Sequence, residues 1–293
     1  MSKLLVLLHI YYHEQTDYFL EKLKNINGVE WDLVVTSPTF DEATEKKIKE
    51  FKPEASFLGV RNCGYDIWPF IKAVQCVDLS QYDYVMKLHT KRDVESFYKI
   101  NHTKMAGSRW RDALVDSLLH SPEYFKRLIG MFEKNPRLGM VSALLTQSNN
   151  AWDIYEGKLG REFKRLNLPL RKGFIALGTM FMARADVFKP LQNDWLTADY
   201  FSDQNPVSGS NFSKSHIYER LLSLLPVSMD MTHKGVSPSR LQTYWLSGRR
   251  AMKGPMEWMF GLYRKGPYHR KAMRIMGFEF YIGKPQEVNF TEE

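Results

Sequence analysis

Cysteine is nearly absent: Cys63 and Cys76 are the only two in 293 residues. Two thiols supply neither a metal-ligand spacing nor a disulfide framework, so free thiols in a reducing compartment are the expectation. The sequons at Asn101, Asn211 and Asn289 then carry no meaning. Membrane-length hydrophobic runs are also missing. The apolar run Leu4 to Ile10 is too short to span a bilayer, and no small-residue cleavage site follows it as a signal peptide requires. Neither a GxGxxG nor a Walker pattern occurs, which leaves a dehydrogenase or a P-loop kinase without support. Internal repeats and low-complexity stretches are lacking as well.

What is present points to a substantial core. Hydrophobic residues make up 44% and aromatic residues 14% of the chain, enough for one large domain or one domain with an appended tail. The net charge of +8 is unevenly placed. Between Lys234 and Arg274 lie ten Lys/Arg and one acid, Glu257, so that stretch sums to +9 and the remainder to −1. A nucleic-acid binder would spread its cations over a docking face, so nucleic acid is not an expected partner.

Strand and helix patterns alternate through the first ninety residues. Leu4 to Ile10 reads as a strand covered on both faces, and Thr16 to Ile26 as a helix stopped by Gly28. Trp31 to Thr36 is a second strand. Thr39 and Glu42 form a capping-box pattern opening a helix to about Phe51, and Ala55 to Val60 is a third strand. Asp66 is placed to cap a helix with Pro69 in its first turn, running to about Val77, and Tyr82 to Leu88 is a fourth strand. This alternation predicts an α/β fold with a parallel, Rossmann-type sheet and helices on both faces. Further on, helices are expected at Arg109 to Leu119, from cap Ser121 and Pro122 to about Lys134, and at Ser213 to Leu225. Strands are expected near Met140 to Ala143 and Phe174 to Ala183. Residues 1–230 are expected to form the ligand-binding domain. Residues 231–293 form a basic, aromatic-rich and partly helical region that wraps as helices and loops.

In open parallel sheets the ligand sits at the carboxyl ends of the strands. The polar groups there are His9, Tyr11 and Tyr12; Thr36 and Ser37; Arg61, Asn62, Gly64 and Asp66; and Lys87, His89, Thr90 and Lys91. Three of these four ends hold side chains suited to a nucleotide. Lys87, His89 and Lys91 alternate, so all three share a face if the strand persists that far, and a diphosphate would neutralise them. The same spacing also fits a strand end projecting basic groups into water. Gly64 allows a tight turn into the helix, where Asp66 either meets a ligand or only caps. A third cluster pairs Gly178, Thr179, Met180 and Phe181 with His216, Glu219 and Arg220, which share one helical face. That face reads as a base with its orienting partners or as a surface salt-bridge set.

Six motifs occur in order: His9-Ile-Tyr-Tyr12, Asn62-x-Gly-Tyr-Asp66-Ile-x-Pro-Phe70, Lys87-Leu-His-Thr-Lys91, Trp110-Arg111, Gly178-Thr-Met-Phe181 and His216-x-x-Glu-Arg220. From about residue 5 to about residue 225 the chain resembles the rhamnan synthesis F family of polysaccharide glycosyltransferases. The resemblance implies a GT-A-like nucleotide-sugar fold and a part in O-antigen, capsule or rhamnan assembly. The donor would be a nucleotide-diphosphate sugar such as dTDP-rhamnose or a UDP-sugar. Two departures stand out. The acidic residue expected before the His-x-x-Glu-Arg helix aligns imperfectly with Asp203, which leaves the catalytic base open between Asp203 and Glu219. The Asp-x-Asp metal motif is missing, with Lys-x-His-x-Lys in its place and only Asp93 and Glu95 just beyond.

The expectation is direct displacement at the anomeric carbon, metal-independent and without a cofactor. A carboxylate takes the acceptor proton, and Lys87, His89, Lys91 and Arg61 stabilise the leaving diphosphate. His9, Tyr11, Thr36, Asn62, Gly64 and Asp66 complete the donor site. Trp110, Arg111, Gly178, Thr179, His216 and Arg220 support it or the acceptor. The acceptor is expected to be lipid-linked and the protein cytoplasmic, with its basic tail either packed on the body or peripheral on the anionic inner face of the cell membrane. The alternative is a noncatalytic sugar-binding or assembly subunit that keeps the fold.

Overall fold

The computed structural model describes residues 2–93, 98–100, 103–105, 107–148, 152–202, 213–239, 241–244, 246, 248, 259–265, 270–276 and 278–282. Seven strands form the main sheet: β1 (Lys3–His9), β2 (Glu30–Ser37), β3 (Ser56–Gly59), β4 (Tyr84–His89), β5 (Leu138–Ala143), β6 (Phe181–Arg184) and β7 (Thr232–Val236). Their order across the sheet is β7-β5-β6-β4-β1-β2-β3. β1, β2, β3 and β4 pair in parallel, as do β5 and β7, and β6 runs antiparallel between β4 and β5. The expected α/β architecture is therefore met, with a mostly parallel sheet.

Among the described residues seven α-helices accompany it: α1 (Thr16–Leu23), α2 (Glu42–Phe51), α3 (Ile67–Cys76), α4 (Gly107–Leu119), α5 (Pro122–Lys134), α6 (Trp152–Arg165) and α7 (Lys214–Ser228). The period of two sends alternate residues of β1 and β4 into opposite cores. Leu4, Val6, Leu8, Met86 and Leu88 pack with α1, α4 and α5. Leu5, Leu7 and Val85 pack with α3, α6 and α7. Because both faces are covered, β1 and β4 are buried along nearly their whole length, which is why they read as continuous apolar runs.

Several boundaries differ from expectation for identifiable reasons. The cap of α2 is Asp41, whose carboxylate accepts from Thr44 N–H at 2.7 Å, rather than Thr39. Ser121 and Pro122 open α5 as anticipated. β4 ends at His89, so Lys91 lies beyond it on the following loop. Phe174 to Ala183 is not one strand. Ile175–Ala176 and Phe181–Arg184 are separated by a turn in which Gly178 (φ 90°) and Thr179 (φ 42°) leave the extended region. α6 escaped the sequence reading because Gly157 and Gly160 depress its helix propensity.

The chain divides into two units, Met1–Pro238 and Ser239–Glu293. β7 belongs to the main sheet of the first unit, within residues the sequence reading assigned to the tail. In the second unit, where helices and loops were expected, residues 241–244 are helical. The strands Phe260–Lys265, Arg270–Ile275 and Phe278–Ile282 form an antiparallel sheet.

Candidate functional site

The carboxyl ends of β1 and β4 turn polar on the face that packs against α3 and α7. His9 lies in register with His89 and with Thr36, while Leu7 lies opposite Lys87. β6 enters antiparallel with Phe181 opposite Lys87, which brings the preceding Thr179 onto the same spot. Lys87 is 1% exposed. Its ammonium binds Asp66 Oδ2, the Thr179 carbonyl at 3.1 Å and Thr179 Oγ1 at 3.0 Å. Thr179 Oγ1 in turn donates to Asp66 Oδ2 at 2.6 Å.

Asp66 therefore does more than occupy a cap position. It sits at the N-cap of α3 yet makes no side-chain capping bond, because its carboxylate is committed to Lys87 and Thr179. Burial pushes this carboxyl toward protonation. The nearby His89 and Lys87 and the hydrogen bonds from Lys87 and Thr179 outweigh that and hold it far below the usual carboxylate range. Burial likewise lowers Lys87, and Asp66 pulls it back. These three oxygens and, at 3.4 Å, His89 Nδ1 share the three hydrogens of Lys87, which leaves none for a phosphate.

Around this pair two imidazoles stay uncharged. Burial lowers His9 to about 4, and its Nδ1 donates to the Thr36 carbonyl at 3.1 Å. Burial also lowers His89 well below the ordinary value. Its Nδ1 stands 3.4 Å from the Lys87 ammonium, a group with only protons to offer, so the ring proton belongs on Nε2.

A cavity of about 230 Å³ opens beside the cluster, lined among others by Asp66, His89, Lys91, Trp110, His216 and Glu219. Tyr65, Ile67, Gly178, Thr179 and Ser215 complete its wall. Lys91 stacks its ammonium 3.5 Å from the centre of the Trp110 ring. Burial lowers its pKa, against the pull of Asp66 and Glu219. Each of those carboxylates already has a cation of its own, Lys87 for Asp66 and Arg220 for Glu219. Lys91 thus carries the cavity's surplus positive charge. α7 fixes the turn across from it. Glu219 Oε1 accepts from Gly178 N–H at 3.0 Å, and Ser223 Oγ accepts from Ala176 N–H at 3.0 Å. Arg220 also donates to the His216 carbonyl at 2.6 Å.

Other expected residues lie apart from the cavity wall. Arg61 pairs with Asp199 on the surface. Asn62 is exposed, and Tyr11 is 47% exposed with its N–H on Thr90 Oγ1. Arg111 pairs with Asp112 at 2.9 Å and covers the Tyr18 ring. Gly64 (φ 67°) shapes the turn before α3, where a Cβ would come within 2.8 Å of Trp68 Cβ. Asp203 and Glu95 lie outside the described residues.

The sequence reading missed Ser215, whose hydroxyl is buried with no hydrogen-bond partner among the described residues, and Tyr65. Tyr65 lies inside the Asn62-to-Phe70 motif, and Ser215 directly precedes the His216-x-x-Glu-Arg220 motif, which was the only signal for either. No group of three His, Cys, Asp or Glu that could hold a metal ion occurs among the described residues. Asp66 Oδ2 is paired with the Lys87 ammonium. Asp93 accepts from Ser108 N–H at 3.2 Å. No helix among the described residues is long and apolar enough to cross a membrane.

The profile of the family described as "Rhamnan synthesis protein F" matches residues 1–231. The "Uncharacterized protein WxcX" of two strains of Xanthomonas campestris pv. campestris is 25% identical over 240 residues, covering 78% of this chain and 31% of that protein. The chain thus spans about a third of the curated relatives it matches. Among solved structures, the mannosyltransferase PcManGT from Pyrobaculum calidifontis, in complex with GDP-Man and Mn2+, is similar at 11% identity and a TM-score of 0.40, over 86% of this chain and 61% of that one. S. aureus TarS 1-349 is similar at 10% identity and a TM-score of 0.38, over 76% and 55%. At such scores the overlaps are loose.

Proposed function

The chain belongs to the rhamnan synthesis protein F family, and on that premise we propose that it is a glycosyltransferase. It moves a sugar from a nucleotide-diphosphate donor, such as dTDP-rhamnose or a UDP-sugar, to a growing cell-surface polysaccharide. The observation that carries this reading is Lys91. A half-buried ammonium, stacked on Trp110 and with its neighbouring carboxylates already matched to other cations, favours a bound anion, which the donor's diphosphate supplies.

In this reading the departing diphosphate gathers its negative charge at Lys91, with His89 Nε2–H and the Ser215 hydroxyl as further donors. Lys87 acts through Asp66, keeping that carboxylate ionised to accept a sugar or ribose hydroxyl. At about 230 Å³ the cavity is smaller than a typical whole-ligand site of roughly 300–1,000 Å³, so it takes the sugar and phosphate end and leaves the nucleoside toward His9 and Thr36. Divalent metal is not needed, since the cation against Asp66 is a lysine.

The acceptor is a lipid-linked glycan at the cytoplasmic face of the membrane, met by the second unit. There Met273 pairs with Phe280 and Ile275 with Phe278, which puts four apolar side chains on one sheet face. Phe278 is 73% and Phe280 50% exposed, within a stretch rich in Lys and Arg, the mixture that suits an anionic interface. Thermal-shift titration with UDP-, dTDP- and GDP-sugars tests donor binding, because a ligand that prefers the native state raises its stability. No shift with any of them would remove the donor from this account. Binding without turnover would favour the noncatalytic subunit.

A further inference from the structure

We propose that His216 removes the proton from the acceptor hydroxyl, a role that rests on the glycosyl-transfer reading above. Four side chains on the cavity wall could in principle accept a proton: Asp66, Glu219, His89 and His216. Asp66 Oδ2 takes Lys87 and Thr179, and a carboxylate stabilised so strongly as an anion is a weak base. Glu219 gives one oxygen to Gly178 N–H and the other to the Arg220 guanidinium at 3.4 Å. His89 turns its bare nitrogen to the Lys87 ammonium and therefore meets the cavity as a donor.

His216 differs from all three. It occupies the third position of α7, half-buried, with its Nδ1 2.5 Å from the hydroxyl of the cap residue Ser213 and its ring set edge-on to Tyr65. When Nδ1–H donates to Ser213 Oγ, Nε2 keeps a free lone pair. Burial keeps this imidazole below the ordinary histidine value. Glu219 and Asp66 pull it upward, and Arg220 pushes it down, so the ring is uncharged at neutral pH. Lys91 and His89 from the end of β4 line the same wall.

The step balances. The hydroxyl proton passes to Nε2 as the hydroxyl oxygen bonds to the anomeric carbon. The bond from that carbon to the phosphate oxygen breaks, with its electron pair leaving on the nucleoside diphosphate. The imidazolium then returns its proton to water.

Two measurements decide the assignment. In the full chain labelled with 15N-histidine, the His216 signals, identified by their loss in His216→Gln, should show at pH 7 an Nδ1–H tautomer with unprotonated Nε2. A proton on Nε2 overturns the proposal whether or not turnover is detected. With dTDP-rhamnose and UDP-glucose as donors and water as acceptor, His216→Gln and His216→Asn should each slow release of the nucleoside diphosphate by a factor on the order of 10² to 10⁴. Apparent KM should change little and the acidic limb of the pH profile should disappear, while the thermal unfolding transition stays cooperative. Retention of rate and limb in both variants, or their loss in Asp203→Asn alone, overturns the assignment. Absence of turnover in the unmodified protein would instead contradict the transferase reading, and the tautomer would still decide what His216 can do.

Discussion

Replacing Asp66 by Asn tests the buried cluster most severely. The substitution keeps the shape but removes the anion from an ammonium that is 1% exposed, leaving Lys87 with neutral acceptors alone: the amide oxygen, the two oxygens of Thr179 and the ring nitrogen of His89. Breaking a buried ion pair from one side costs about 3–5 kcal/mol. A unit the size of Met1–Pro238 loses roughly 2–4 °C in Tm per kcal/mol, so a fall of about 6–20 °C is expected. Lys87→Met should cost less, about 1–3 kcal/mol, because the Asp66 side chain keeps 22% exposure and can turn to water in the cavity. The double variant should then be more stable than the sum of the two losses predicts, by about 0.5–3 kcal/mol, since neither charge is left alone. Urea unfolding of the four proteins measures the cycle. Additive losses, or an Asp66→Asn cost below about 1 kcal/mol, would refute the claim that each residue is held charged by the other.

Further outcomes follow from the same geometry. Lys91→Met should stabilise the ligand-free protein slightly while weakening nucleotide-sugar binding by roughly 10- to 150-fold, from about 1.5–3 kcal/mol per charge-assisted contact, as read by calorimetry. His9 is neutral when folded at about 4 and titrates near 6.5 when unfolded. Its contribution of about 3 kcal/mol is full above pH 6.5 and is lost as pH falls toward 4. Urea midpoints measured across that window should fall, and His9→Asn should flatten the decline. Gly64→Ala places a Cβ 2.8 Å from Trp68 Cβ and 3.0 Å from Phe201 Cβ at φ 67°, and should cost at least about 1–3 kcal/mol in the same assay. Co-sedimentation with anionic vesicles should fall with salt and with Arg249, Arg250, Arg264 and Lys265 changed together to Ser.

The sheet was legible because burial on both faces writes β1 and β4 as unbroken apolar runs, and because Ser121 with Pro122 marks a helix start on local chemistry alone. Motif order then brought Asp66, Lys87, His89, Lys91, Trp110 and Glu219 into view as one set. Their division of labour was not legible. Alternation put Lys87 and His89 on one face, yet only the antiparallel entry of β6 reveals that Thr179 and Asp66 use up the Lys87 ammonium. Periodicity also treated Phe174 to Ala183 as one strand, because a left-handed turn at Thr179 leaves no trace in hydrophobic spacing. Arg61 and Asn62 sit at the right strand end but face outward, a distinction that needs the path of the loop before α3.

Release of nucleoside diphosphate is the most direct measure of the central claim. The purified protein, treated with chelator, is incubated with dTDP-rhamnose, UDP-sugars and GDP-sugars, and the freed diphosphate is quantified beside Lys91→Met. The account predicts release from at least one donor without added metal, reduced by at least an order of magnitude in the variant. Release that requires Mn²⁺, or that is the same in Lys91→Met, would contradict it.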